Sequence, residues 1–164
     1  MIITLNNTKF FKTKSPNTQA RDVILNDISN GFEGNFQTIA KGWNTSDFLA
    51  LYDSVILQFQ SESAVSGTVT KHLSWVNNIV KFTGIEKHFN SVTTQDAAYT
   101  LRHYIRLDVD HPRTHYIINE QKYTIDNVEE NDIVIHPAGV VQGYDQNLLD
   151  ESCIILTLTF SIKA

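Results

Sequence analysis

The C-terminal stretch CIILTLTFSIK, Cys153 to Lys163, constrains the fold more than any other part of the chain. Ile154, Leu156, Leu158, Phe160 and Ile162 fall on one side of an extended chain, and Thr157, Thr159 and Ser161 on the other. Side chains alternate across a strand, so this is a strand with one apolar face that needs a covering layer. The threonine row is expected to look outward, toward solvent or a neighbouring subunit. The same period runs through Leu101, His103, Ile105 and Leu107, which alternate with Arg102, Tyr104, Arg106 and Asp108 as in a half-buried strand. Tyr116 to Ile118, then Asn119-Glu120, then Lys122 to Ile125 reads as a hairpin, and Ile133 to Ile135 forms a further strand after the acidic turn at Glu129-Glu130.

The first half changes period. Ile2 to Leu5 and Thr8 to Phe11 flank Asn6-Asn7, residues that tolerate the left-handed conformation of a two-residue hairpin. Ala20, Val23, Ile24 and Ile28 recur at helical spacing, with Gly31 as the stop. Thr45 or Ser46 starts a second helix, whose stripe is Phe48, Leu51, Tyr52, Val55, Ile56 and Phe59. Val69, Leu73, Val76 and Val80 predict a third helix from about Thr68, closed by Gly84, with His72 at its core boundary. The chain therefore reads as α+β and as one domain over 1–164: a mainly helical part with a small hairpin over 1–98, and a β-rich part over 99–164.

Between these strands lies the corner ENDIVIHPAGVVQGYDQN, Glu130 to Asn147. Pro137 ends one strand and Gly139 opens the way to the next, as in a tight corner of a closed sheet. The corner resembles the second motif of the cupins and related double-stranded β-helix (jelly-roll) proteins, G-D-x-V-x-I-P-x-G-x-x-H. Asn131 stands where that motif has glycine and Gln142 where it has the metal-binding histidine. The resemblance spans roughly 99–162 and implies N-terminal helices packed on an antiparallel double-stranded β-helix barrel. It extends to the small Fe(II)/2-oxoglutarate oxygenases, in which an H-x-D pair and a distal histidine bind iron and a basic residue on the final strand holds the 2-oxoglutarate carboxylate. The matching positions here carry His88-Phe89-Asn90 for the pair, Gln142 for the distal histidine and no basic residue over 153–155.

Several residues remain candidates for a site. His111, His115 and His136, with Asp108 or Asp110, are the candidate metal set, since imidazole and carboxylate suit iron, zinc, nickel or manganese. The competing reading of Asp108 to Arg113 is a solvated, proline-containing turn. Gln142, Tyr104, Tyr116 and Tyr144 are candidate pocket residues, aromatic faces being good ligand surfaces. His103 reads as a core histidine, and Cys153, beside Asp150 and Glu151, as a thiol of raised pKa rather than a nucleophile.

Composition narrows the classes. A net charge of −5 without a basic cluster argues against nucleic acid as the main partner. A single cysteine leaves no internal disulfide and suits a reducing cytoplasm. No apolar run reaches the roughly 18 residues of a membrane span, and the N-terminus has no apolar leader core, so the expectation is an unsecreted protein without a membrane partner. Because the metal positions are degenerate, these readings favour a non-catalytic jelly-roll subunit of an assembly such as a phage particle. It would be a homo-oligomer or bound to other subunits, with no cofactor. The alternatives are a metal-dependent dioxygenase of the cupin or Fe(II)/2-oxoglutarate type with atypical ligands, using Fe(II) or another divalent metal, and a small-ligand or carbohydrate-binding module.

Overall fold

The computed structural model describes residues 1–30, 37–88 and 97–164. In chain order the elements are β1 (Ile2–Leu5), β2 (Thr8–Lys14), α1 (Gln19–Ser29), β3 (Gln37–Thr38), α2 (Ser46–Ala50), α3 (Asp53–Ser63), β4 (Thr68–Ile79), β5 (Ile85–His88), β6 (Ala97–Arg106), β7 (Thr114–Ile118), β8 (Gln121–Thr124), β9 (Asp132–Pro137), β10 (Val141–Tyr144) and β11 (Cys153–Lys163). They form two antiparallel sheets. One has the order β1-β2-β9-β6-β11-β4-β3 and the other β5-β10-β7-β8. The strands β4 to β11 pass back and forth between the sheets, four in each, and β1, β2 and β3 extend the larger one. This is the winding of a double-stranded β-helix with helices on one face, as the sequence predicts.

β11 lies at the centre of the larger sheet, paired to β4 on one side and β6 on the other. It is buried from Cys153 to Ile162 because each face has its own cover. Ile154, Leu156, Leu158, Phe160 and Ile162 join Phe48, Tyr52, Val55, Ile56 and Phe59 of the helical layer in one core cluster. Each such side chain contributes about 1.5–3 kcal/mol when fully buried. The opposite face looks into the space between the sheets, where Cys153 and Ile155 meet Tyr104, Tyr116 and Tyr144 in a second cluster. Thr157, Thr159 and Ser161 are buried on that side. The threonine row therefore lines the barrel instead of an outer surface. The same holds for β6: its apolar row sits under the helices, and Arg102 and Tyr104 are buried inside the barrel. Two-sided cover produces an alternation that reads like half-burial in a sequence.

The predicted helix from Thr68 is strand β4, which pairs with β11 from Thr68↔Lys163 to Ile79↔Cys153. Its i, i+3, i+4 spacing is outweighed by a full-length partner strand and by β-branched residues at Thr68, Val69, Thr70, Val76 and Ile79. His72 is accordingly a strand residue, hydrogen-bonded to Ser161 Oγ at 2.8 Å. The stripe from Phe48 to Phe59 is split into two helices at Leu51-Tyr52, and Thr45 caps the first by accepting from the Phe48 N–H at 3.2 Å. Asn6-Asn7 and Asn119-Glu120 take positive φ in their hairpins, as expected. Gly31 lies outside the described residues.

Asn131 shows how the corner survives without the motif's glycine. Its φ is +68°, within the left-handed region that asparagine enters more readily than most residues. Its backbone N–H donates to the Tyr104 carbonyl at 2.7 Å, and its side-chain oxygen accepts from His103 Nε2 at 2.7 Å. His103 is buried, with Tyr52 OH donating to Nδ1 at 2.8 Å. Burial holds its pKa down to about 4, so the ring is neutral and both nitrogens are satisfied. It is a core histidine.

Candidate active site

The polar interior of the barrel is built from inward positions of four strands. Arg102 and Thr157 are direct partners across the β6–β11 ladder, so their side chains share a face. One step along, Thr100 pairs with Thr159 on one side and His136 on the other. The smaller sheet closes this space with Tyr116, whose ring meets His136 edge-on at 5.2 Å and Phe10 at 4.7 Å between centroids. Tyr104 OH donates to Thr114 Oγ1 at 2.8 Å, tying the two sheets together.

Arg102 is the unusual member. It is 3% exposed. Its Nε donates to His136 Nε2 at 3.4 Å, its Nη2 has no hydrogen-bond partner, and it forms no ion pair with a described carboxylate. Burial lowers its pKa, with the Tyr116 and Tyr104 hydroxyls opposing that only as neighbouring dipoles or charges. A guanidinium carries five donors, and leaving such an ion desolvated without a counter-charge costs several kcal/mol. Thr157 Oγ1, on the partner position, is also buried without a hydrogen bond. The pair is therefore suited to an anionic ligand with two oxygens, such as a carboxylate.

His136 supports this arrangement. Its Nδ1–H donates to the Pro137 carbonyl at 2.8 Å, which leaves the Nε2 lone pair for Arg102. Burial first, then the adjacent Arg102, lower its pKa to about 3, so it stays neutral and orients the guanidinium without competing for its charge. Tyr116 and Tyr144 are buried phenols whose pKa values are raised by burial, so both keep their protons. Cys153 is also buried, and burial pushes its thiol up to about 11, which excludes it as a nucleophile at neutral pH.

The candidate metal trio does not assemble. His111 is locked in its turn: Nδ1 accepts from the Asp108 N–H at 2.7 Å and Nε2 donates to the Glu151 carbonyl at 2.8 Å. His115 alternates with Thr114 and Tyr116 and lies 3.6 Å from the exposed Asp145, on the other face of the smaller sheet from His136. Among the described residues, no three His, Cys, Asp or Glu side chains gather closely enough to hold a metal ion. The pocket candidates fare differently. Gln142, Tyr104, Tyr116 and Tyr144 are all buried, and Tyr104 and Tyr116 flank Arg102. Gln142 on β10 pairs with His88 on β5, two positions at which the oxygenase resemblance looks for metal ligands. Phe89 and Asn90 lie outside the described residues.

Comparison with known proteins supports the topology. No family model and no curated protein matches the sequence. Among solved structures, HygX from Streptomyces hygroscopicus with nickel and 2-oxoglutarate bound gives a TM-score of 0.70 at 8% identity, over 95% of this chain and 83% of that one. The viral collagen prolyl hydroxylase vCPH from Paramecium Bursaria Chlorella virus-1, a 2OG complex, gives 0.67 at 11% identity, over 94% and 96%. The fold is that of the 2OG-Fe(II) oxygenases. A 2OG-Fe(II) oxygenase family oxidoreductase from Burkholderia pseudomallei matches with a TM-score of 0.60 at 9% identity over 70% of this chain, which spans 56% of that protein's length.

These comparisons correct the expectation of a non-catalytic, cofactor-free structural subunit. Solved structures that share the fold include a 2OG-Fe(II) oxygenase family oxidoreductase, prolyl hydroxylases, the non-heme alpha ketoglutarate dependent epimerase SnoN, and HygX with iron or with nickel and 2-oxoglutarate bound; none of these supports a particle component. No helix among the described residues is long and apolar enough to cross a membrane.

The oxygenase fold implies a metal, and the donor set can be tested against it. At the positions that the resemblance assigns to its ligands the sequence carries His88, Asn90 and Gln142, of which Asn90 and the side chain of His88 lie outside the described residues. As residue types these are one imidazole and two neutral amides, without the carboxylate of the ordinary two-histidine, one-carboxylate facial site. Sequence reasoning missed Arg102, because it sought the basic residue on the final strand. The cation instead comes from the strand that pairs with it, a fact carried by the β6–β11 register alone.

Proposed function

We propose that this chain is an enzyme of the Fe(II)/2-oxoglutarate oxygenase type with an atypical ligand set, and that Arg102 seats a carboxylate of its acidic cosubstrate. The observation that carries this reading is the buried guanidinium without a counter-charge among the described residues, in a barrel of the oxygenase fold. 2-Oxoglutarate is the candidate ligand, since structural neighbours of this chain hold it.

The roles of the chain's own residues follow from their contacts. Arg102 offers Nη2 to a carboxylate oxygen, and Thr157 offers its hydroxyl from the partner strand. His136 fixes the guanidinium plane through Nε. The phenyl bodies of Tyr104 and Tyr116 keep water from the ion, which strengthens its attraction for the ligand.

The test is 2-oxoglutarate turnover by the purified protein. With Fe(II), ascorbate and air, succinate formation above a no-enzyme control is expected, together with a rise in melting temperature on adding 2-oxoglutarate. Absence of both at millimolar ligand would overturn the proposal.

A further inference from the structure

Resting on the oxygenase reading, we infer that the barrel beyond Arg102 takes the second substrate, an uncharged ring compound with a hydroxyl at its edge. Trp75 and Leu73 form the wall against which the ring lies, and Thr159 and Ser161 meet the hydroxyl.

The register places these four side chains together. In the β4–β11 ladder Thr157 stands opposite Trp75 and Thr159 opposite Leu73. Direct partners share a face of the sheet, and Thr157 shares its face with Arg102, so Trp75 and Leu73 look into the barrel. Leu73 is nevertheless 37% exposed, and Trp75 joins neither of the two core clusters. An inward apolar side chain keeps that much contact with solvent where the barrel is open. The other end is filled, since Cys153, Ile155, Tyr104 and Tyr144 pack there in one cluster.

The open part is longer than the proposed cosubstrate. From Thr157 to Ser161 the strand advances by four residues, about 13 Å at ~3.3 Å each. A five-carbon diacid seated on Arg102 reaches roughly half of that, even extended along the strand. Leu73, Thr159 and Ser161 therefore lie where a second molecule fits.

Their chemistry selects its class. Between Arg102 and Ser161 the inward positions of β4, β6 and β11 carry no carboxylate, lysine or second arginine. A charged group brought there would lose water without gaining a counter-ion, which disfavours ionic ligands. The indole of Trp75 and the neighbouring Leu73 give a flat apolar surface suited to a ring. One strand away, hydroxyls serve as donors or acceptors. Ser161 Oγ is fixed by His72 Nε2 at 2.8 Å, and Thr159 Oγ1 makes only a long bond, 3.4 Å, to the Leu73 carbonyl.

NMR of the isotope-labelled full chain tests this. Its two tryptophans, Trp43 and Trp75, give separate indole N–H signals, assigned with Trp75→Phe. The neutral probe 4-hydroxybenzyl alcohol should shift the Trp75 signal saturably and leave that of Trp43 in place. Its dissociation constant should stay within about threefold when 2-oxoglutarate is saturating. Under that condition 4-hydroxybenzoate, the same ring with a charge, should bind about tenfold more weakly or worse. Leu73→Ser, at a position exposed enough to tolerate it, should weaken the neutral probe about threefold or more. Displacement of the probe by 2-oxoglutarate, equal binding of the two ring compounds, or no shift at Trp75 would each overturn the inference and leave the oxygenase reading standing. Binding of the probe without any binding of 2-oxoglutarate would overturn the oxygenase reading, and with it the role of second substrate.

Discussion

Arg102 and Thr157 face one another across the central ladder of the barrel, and each holds a buried polar atom, Nη2 and Oγ1, that nothing in the described chain satisfies. Two such atoms on adjacent strands of a packed core are an uncommon cost, because buried polar groups are nearly always hydrogen-bonded. The larger sheet tolerates them because the helical layer and the β11 apolar row supply the burial elsewhere.

Arg102→Met should therefore leave the ligand-free protein as stable as before or more so. Replacing buried ionic groups by apolar side chains of similar volume has been neutral or stabilising by roughly 1–4 kcal/mol. Urea denaturation with and without 2-oxoglutarate checks this: an unchanged or higher midpoint without ligand, and no ligand-dependent gain. A large loss of stability without ligand would mean that the guanidinium has a structural partner.

The two buried histidines set a pH dependence. His103 and His136 have folded-state pKa values lowered to about 4 and about 3, against an ordinary 6.5 in the unfolded chain. The unfolded chain thus takes up protons first as pH falls, and stability is lost from about pH 6.5 downward until the folded-state values are passed. For His103 alone the loss amounts to roughly 3 kcal/mol by pH 4, at about 1.4 kcal/mol per pH unit. Denaturant midpoints at pH 7, 5.5 and 4.5 should fall in order, and His103→Gln should flatten the slope.

Tyr52→Phe should destabilise by about 1–3 kcal/mol, because it leaves the buried His103 Nδ1 without its donor. The loss should be small in Tyr52→Phe/His103→Leu compared with the sum of the singles, a coupling readable from a double-mutant cycle.

At Asn131 the substitutions separate backbone from side chain. Asn131→Gly keeps the left-handed turn and loses only the bond to His103, whereas Asn131→Ala loses that bond and adds about 1–2 kcal/mol of backbone strain. Thermal denaturation should rank wild type above glycine and glycine above alanine; alanine equal to glycine would contradict the φ of +68°.

Cys153 should not react with a thiol reagent at pH 8 until the chain unfolds. It is fully buried and its thiol is raised to about 11, so the reactive thiolate is both scarce and shielded. Reaction at the rate of a free thiol in the native protein would show that the barrel interior opens.

Local chemistry determined the hairpins at Asn6-Asn7 and Asn119-Glu120, the capped helix at Thr45, the corner at Pro137 and the strand from Cys153, since turn residues, caps and period-2 alternation act within a few residues. Tertiary structure alone decided the rest. Val69, Leu73, Val76 and Val80 keep helical spacing, yet pairing along β11 makes the first three strand residues. Thr157 and Arg102 read as solvent-facing because a sequence shows that a face is polar but not what covers it. Only the second sheet, brought over that face by residues from Thr114 to Tyr144, turns a threonine row and one arginine into the interior of a site.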